Sequence, residues 1–325
     1  MIPDSSVSGG LIVGPETMAN VLLERSAWVY ARLAQAERNG LRLGEVTLTE
    51  TLLLDIRTAL PGLQVTMYTP HQEAHTGADW QWEWWFHGTR WFGIRAQAKL
   101  LKEISAGTVG YDLDFRSGKA KRRQLDLLMQ DAATNKMAPA YVLYNGPQLD
   151  DAFDCIPWNC SSLAKRPEYF GVSYLPAESA EHLVNAGALD VLSVGAASRP
   201  WACLFRCAAA DRCAAWPTAL NKSVPLDRAV ARAFFLAEYE GAHFGFEPGE
   251  REAHRDAAAR DLDERIGHLR RALPPPHVAR LRELGSEARL DPEFDSMLPE
   301  GVGAVSIFEV EPKLPTKKRL RRAEK

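Results

Sequence analysis

Glu73-Ala-His-Thr-Gly-Ala-Asp79, then Trp80 to Arg95, then Ala96-Gln97-Ala98-Lys99 is the stretch on which both fold and chemistry turn. Asp79 to Phe86 and Trp91 to Lys99 are rich in aromatic and β-branched residues, and His87-Gly88-Thr89-Arg90 between them has the composition of a turn. The spacing predicts a hairpin. A turn centred on Thr89 sets Asp79 opposite Lys99 and Gln81 opposite Gln97. Strand alternation then puts Asp79, Gln81, Glu83, Arg95, Gln97 and Lys99 on one face, with Trp80, Trp82 and Trp84 against Ala98, Ala96 and Ile94 on the other. Large residues meeting small ones mark the second face as the dry one.

On the polar face this pairing brings a carboxylate and an amide carbonyl close together, and hard oxygen ligands of that kind suit Mg²⁺ or Mn²⁺. The ammonium of Lys99 lies beside them. A metal held there lowers the pKa of a bound water and neutralises charge on a phosphate, while the lysine orients the attacking water or helps to deprotonate it. Those are the parts needed to hydrolyse a phosphodiester.

Working outward, Glu16 to Arg38 repeats apolar residues at helical spacing until Asn39-Gly40 stops it. Thr47-Leu48-Thr49-Glu50 has the form of a capping box, followed by the stripe Leu52, Leu53, Ile56 and Leu60 and a stop at Pro61-Gly62. Leu63 to Thr69 reads as a strand ahead of the hairpin. Lys121 to Ala133 carries Leu125, Leu128 and Met129 at helical spacing, and Ala140 to Tyr144 is a short apolar run typical of a buried strand. The order is helix, three strands, helix, strand.

Thr76-Gly77-Ala78-Asp79 followed by Gln97-Ala98-Lys99, with 17 residues between the Asp and the Gln, resembles the PD-(D/E)XK nuclease superfamily in the GxD…QxK form known from Mrr-type restriction endonucleases. The order of elements agrees with that superfamily's αβββαβ core. The resemblance covers about a third of the chain. It implies an α/β fold, a restriction-endonuclease-like αβββαβ core with a mixed sheet, here followed by an additional C-terminal α+β region. It further implies that Asp79 and Gln97 are metal ligands, that Lys99 is the catalytic lysine, and that an acidic residue of the first core helix completes the site. Gln97 in place of an acid removes one negative charge, from which weaker metal binding follows. The helix acid stays open: Glu50 is on the helix but has a capping role to explain it, and Glu45 just before the helix is its rival. Glu73, six residues before Asp79, can also approach the metal.

Four segments are expected: a helical 1–43, the nuclease-like core 44–145, a sheet extension or accessory region 146–216, and a charged helical arm with basic tail 217–325. The third contains strand-like Phe170 to Leu175, helix-like Ala177 to Ala186 and strand-like Trp201 to Arg206. The fourth has charged helical sequence from Asp227 to Glu287, broken at Pro274-Pro275-Pro276, then a strand-like Gly303 to Glu311 and the tail Lys317 to Arg322.

A formal net charge of −3 excludes a uniformly basic nucleic-acid binder, so such contacts must come from local patches. The densest basic region contains Lys99, Lys102, Lys119, Lys121, Arg122 and Arg123; of these Lys102, Lys121, Arg122 and Arg123 are candidates for the phosphate backbone. A solvated helix start explains them equally well. Gln124 could reach the scissile phosphate, or be a helix-surface amide. The tryptophan run suggests base stacking, but core packing accounts for Trp80, Trp82 and Trp84 and leaves Trp85 and Trp91 to touch a ligand. Five cysteines, none in a CxxC pair, suit reduced thiols better than a disulfide framework or a zinc ribbon. With neither a signal-like N-terminus nor a membrane-spanning apolar run, the expectation is a cytoplasmic protein without membrane contact.

The expected activity is therefore Mg²⁺- or Mn²⁺-dependent hydrolysis of nucleic acid, with DNA as the substrate; defence against foreign DNA fits the resemblance, and a homodimer is compatible with it. One rival keeps the nuclease fold for nucleic-acid binding or assembly without catalysis. Another takes the Trp-rich hairpin as a carbohydrate- or peptide-binding β module, which requires Trp80, Trp82 and Trp84 to be exposed.

Overall fold

A computed structural model describes residues 15–59, 68–86, 90–117, 122–135, 137–158, 163–210, 234 and 307–310, with the side chains at 15, 57, 70, 72, 82–92, 117, 207–210 and 307–310 outside that description. Helix α1 (Pro15–Arg38) buries Met18, Leu22 and Val29 along one stripe. Helix α2 (Glu45–Ala59) begins ahead of Thr47-Leu48-Thr49-Glu50, so that box does not cap it. The threonine hydroxyls instead bond back along the helix, Thr49 Oγ1 donating to the Glu45 carbonyl and Thr51 Oγ1 to the Thr47 carbonyl, both at 2.8 Å. Helix α3 (Pro70–Thr76), absent from the sequence expectation, opens with a proline where a missing N–H breaks no helical bond. Most of the expected strand at 63–69 lies outside the described residues; Tyr68 N–H donates to the Asp79 carbonyl at 3.0 Å.

Strands β1 (Trp80–Phe86) and β2 (Arg90–Leu100) form the hairpin, antiparallel, with Trp80 opposite Ala96 and Gln81 opposite Arg95. That register differs by two residues from one centred on Thr89, so Asp79 is not opposite Lys99. Because the pleat repeats every two residues, the slip leaves the faces as expected. Trp80, Ile94, Ala96 and Ala98 are all buried in one apolar cluster.

Hairpin β3 (Lys102–Ser105) and β4 (Thr108–Gly110) and the short pair β5 (Arg116–Ser117) and β6 (Arg122–Arg123) lead into helix α4 (Gln124–Thr134). Strand β7 (Ala138–Tyr144) then lies parallel to β2, as the intervening helical crossover permits. Helix α5 (Asp150–Phe153) precedes β8 (Val172–Pro176), which pairs antiparallel with β7. Helix α6 (Ala177–Ala186) has the bounds its periodicity suggested. Helix α7 (Val191–Ala197) is capped by Asp190, whose carboxylate accepts the Leu192 and Ser193 N–H groups at 3.0 Å. After the two-residue β9 (Arg199–Pro200) the chain turns into helix α8 (Cys203–Ala210), where Trp201 to Arg206 had read as a strand. A short apolar run fits either period; here Leu204 and Phe205 bury against α1, and Trp201 Nε1 donates to the Leu22 carbonyl at 2.6 Å. Strand β10 (Ile307–Val310), within the strand-like run at 303–311, pairs parallel with β1.

The result is an α/β protein with one mixed sheet in the order β10-β1-β2-β7-β8-β9. Strands from the expected core, the accessory region and the distal arm thus share a sheet. Helices α1, α2 and α8 cover one face, and α4, α6 and α7 the other, each over its own apolar cluster. Of the expected arm, Phe234 is buried and stacks on Tyr174 at 5.8 Å; the rest of the charged stretch at 227–287 and the basic tail lie outside the described residues. No helix among the described residues is long and apolar enough to cross a membrane.

Gly77 couples this frame to the site. Its φ is +69°, and a Cβ there would meet the Gln124 carbonyl at 2.5 Å and the Leu128 amide nitrogen at 2.7 Å, both α4 backbone. Gly77→Ala is expected to lower the unfolding free energy by about 2–4 kcal/mol through clash and a left-handed alanine, measured by urea denaturation. A variant as stable as wild type refutes the tight approach of α3 to α4.

Candidate functional site

At the end of β2, the first turns of α2, α3 and α4 enclose a cavity of about 340 Å³, lined among others by Glu45, Glu73, Asp79, Gln97, Lys99 and Gln124. The polar face of the hairpin divides in two. Arg95 and Gln81 sit behind the cavity: Arg95 pairs with Asp131 at 2.8 Å, hydrogen-bonds Gln81 and lies 5.4 Å from the Tyr68 ring centroid. Burial lowers its pKa to about 10 against the opposing pull of Asp131. This pair is structural, and the polar residues left facing the cavity are Asp79, Gln97 and Lys99.

A directed chain of hydrogen bonds joins those three. Lys99 Nζ donates to Gln124 Oε1 at 2.7 Å; Gln124 Nε2 donates to Gln97 Oε1 at 2.8 Å and to Glu73 Oε1 at 3.0 Å. Gln97 Nε2 in turn donates to Asp79 Oδ2 at 2.8 Å, and the same oxygen accepts the Ala98 N–H at 2.6 Å. An ammonium only donates and a carboxylate only accepts, so the two ends fix the sense of both amides. Lys99 is 6% exposed and Gln124 4%. The ammonium also lies 5.3 Å from the ring centroid of Phe115, a cavity-lining residue that is 44% exposed.

The carboxyl groups are crowded. Burial, then the charge of Glu73, pushes Asp79 up to about 7, outweighing the Ala98 N–H and Lys99, which pull it down. Burial is also the chief cause holding Glu73 above the usual carboxylate range, while Lys99 and the Gln124 amide lower it. Glu45 acts on both, raising each, and its own Oε1 accepts the Leu100 N–H at 3.0 Å.

Glu50 lines the same cavity from the second turn of α2 but is exposed, and of the two helix acids it is Glu45 whose charge reaches Asp79 and Glu73. Gln124 is buried inside the site and is not a helix-surface amide. Lys102 stands exposed at the cavity, 3.7 Å from Asp112. Arg122 is exposed and donates to Gln130 Oε1 at 3.0 Å. Arg123 is engaged by Asp126 at 3.1 Å, Asp114 at 3.8 Å and Glu181 at 3.9 Å. Lys119 and Lys121 lie outside the described residues, as do the side chains of Trp82, Trp84, Trp85 and Trp91. Trp80 is fully buried and offers no platform to a ligand. Cys155 and Cys203 are free thiols. Phe115 and Tyr68 also wall the cavity; Phe115, an isolated aromatic beside a turn, carried no sequence signal, and Tyr68 read only as part of the expected strand at 63–69.

Among the described residues no three His, Cys, Asp or Glu side chains come close enough to hold a metal by themselves. A cation would need the Gln97 carbonyl as well as Asp79 and Glu73. Those are hard oxygen donors, and burial, which chiefly raises both carboxyls, makes their ionised forms costly in a way that a divalent cation beside them would offset. On donor chemistry the residues fit Mg²⁺ or Mn²⁺.

Fold and site together define an α/β protein with a buried acid–amide–amine centre at the end of a central strand. The chain belongs to a family of unknown function, DUF6615, whose model matches residues 18–310. No curated protein matches the sequence.

Proposed function

We propose that the protein is a metal-dependent nuclease of the PD-(D/E)XK type that hydrolyses phosphodiester bonds of DNA. The observation that carries this reading is the meeting of Asp79, Gln97 and Lys99, two of them buried, in one cavity with Glu73. The β1–β2 hairpin, the α4 crossover and β7 parallel to β2 are consistent with the later part of an αβββαβ core. Asp79, Gln97 and Glu73 would hold the cation, with Glu45 or Glu50 from α2 adding negative charge. When bound, a divalent cation supplies positive charge against phosphate oxygens and makes water more acidic.

The chain's own groups do the rest. Lys99 has three ammonium protons and gives one to Gln124, so the others can orient a water against phosphorus or neutralise a phosphate oxygen. Water oxygen then bonds to phosphorus, the bond to the leaving sugar oxygen breaks, and the proton lost by water leaves through the site while the leaving oxygen gains one from solvent. The acidic lining gives phosphate no attraction until positive charge is added, which makes activity depend on the cation.

The rival, a nuclease-fold module that binds without cutting, is favoured by one observation: the Gln97 carbonyl is engaged by Gln124 and turned away from Asp79. Incubating the full chain with plasmid and with single-stranded DNA, in EDTA, Mg²⁺ or Mn²⁺, separates the two. Cleavage that needs the cation and disappears in Asp79→Ala is expected. DNA bound but left intact under every condition supports the binding module instead.

A further inference from the structure

We propose that Gln124 is a positioning residue of this centre that acts in two opposite senses: it holds the Lys99 amine in place and it withholds oxygen ligands from the cation. This rests on the nuclease reading of the site. With its carbonyl committed to Lys99, the Gln124 side chain can only offer N–H groups to its other neighbours, and those neighbours are Gln97 Oε1 and Glu73 Oε1. Both oxygens belong to groups a cation would need. The Gln97 amide is thereby fixed with its NH₂ on Asp79, and turning it over would set two NH₂ groups against each other at the present 2.8 Å contact. Gln124 therefore competes with the metal for Gln97 and Glu73 while fixing the amine that works on the substrate. Its place is rigid: it is the first residue of α4, its N–H donates to the Phe115 carbonyl at 2.9 Å, and its carbonyl faces Gly77.

A purely structural glutamine and a positioning one behave differently when replaced. Gln124→Met keeps the length of the side chain and removes both the acceptor and the donors. It is expected to bind Mn²⁺ about fivefold more tightly, the size of one ordinary hydrogen bond released from competition, while kcat on single-stranded DNA falls at least about tenfold at a KM within twofold of wild type. Tighter metal with slower turnover is not what a loosened fold produces. Gln124→Glu restores an acceptor for Lys99 without the donors; it is expected to recover the protection of Lys99 against acetic anhydride, read by mass spectrometry, that Gln124→Met loses. If Gln124→Met fails to fold, the comparison of Gln124→Glu with wild type carries the metal arm alone, and unchanged or weaker Mn²⁺ binding there overturns the proposal. Unchanged Mn²⁺ affinity, kcat and Lys99 acetylation in a folded Gln124→Met overturn it as well. If wild type neither binds Mn²⁺ nor cleaves DNA, the nuclease reading fails separately, and Lys99 acetylation alone decides Gln124: faster in Gln124→Met supports its hold on the amine, unchanged refutes it.

Discussion

Asp79→Asn is expected to stabilise the metal-free protein at pH 8 by about 2–4 kcal/mol and, in the same variant, to abolish DNA cleavage. The folded chain raises this carboxyl from the ordinary 3.8 to about 7 through burial and the charge of Glu73. A displacement of that size corresponds to roughly 4 kcal/mol when the group is fully ionised, and sharing the effect with Glu73 reduces it. A raised carboxyl binds its proton more tightly in the folded than in the unfolded chain. Its ionisation therefore destabilises the fold progressively between about pH 4 and pH 7, and above pH 7 the loss is complete. Asparagine cannot ionise. Its carbonyl can still accept from Gln97 and the Ala98 N–H, and its NH₂ can donate toward Glu73. Urea denaturation in EDTA from pH 4 to pH 8 tests this by difference, since titrating groups not coupled to Asp79 cancel between the two proteins and the difference reports Asp79 together with its effect on Glu73. Wild type should lose stability relative to Asp79→Asn as pH rises through the window. An Asp79→Asn protein less stable than wild type at pH 8 would falsify the costly buried charge at Asp79 on which the site argument depends.

The same pH window predicts how a cation should behave. Protons and metal compete for Asp79 and Glu73, so Mn²⁺ affinity should climb as pH approaches and passes 7. Metal then reverses the pH trend in stability, because it binds only the folded, ionised form.

Much of this centre was legible in the linear chain because strand chemistry is local. The alternation of Trp80, Gln81 and Trp82 against Ile94 to Lys99 fixes which side chains share a face, and a two-residue error in register does not disturb it. The helix of α6 was equally plain, since ten residues with one apolar stripe fit no other period. What could not be read were the partners that arrive from far away. Gln124 reaches Glu73 across 51 positions and Glu45 reaches the Leu100 amide across 55. Both residues stand out in the sequence as candidates, but nothing in their neighbourhoods names these partners. Glu50 looked like the better helix acid because the capping box set the helix start at Thr47 and left Glu45 outside it, but the threonines bond back along a helix that starts earlier, and the first-turn Glu45 is the one felt by the other acids. Trp201 to Arg206 misled for a different reason: burial on all sides erases the period that separates helix from strand.

Lys99→Met should lower kcat by at least about a hundredfold while leaving the fold intact. Among the described residues the amine is the one cation buried at the carboxyl cluster, and preorganised charge in a water-poor site contributes on that scale. Methionine fills the channel beside Phe115 with a side chain of similar length, so packing is largely kept. Its effect on the carboxyls gives a second readout. Lys99 lowers both Asp79 and Glu73, so without it both hold their protons to higher pH, and the pH at which Mn²⁺ binding reaches its midpoint should move upward. Lys99→Arg is expected to keep much of the charge effect on the carboxyls but not to rescue turnover: the planar guanidinium carries its charge in a wider fork than a point-like ammonium, and Gln124 Oε1 offers it one acceptor. A folded Lys99→Met protein that nicks plasmid at the wild-type rate would assign the cleavage to another agent, and the cavity would then be a charged crevice with no part in catalysis.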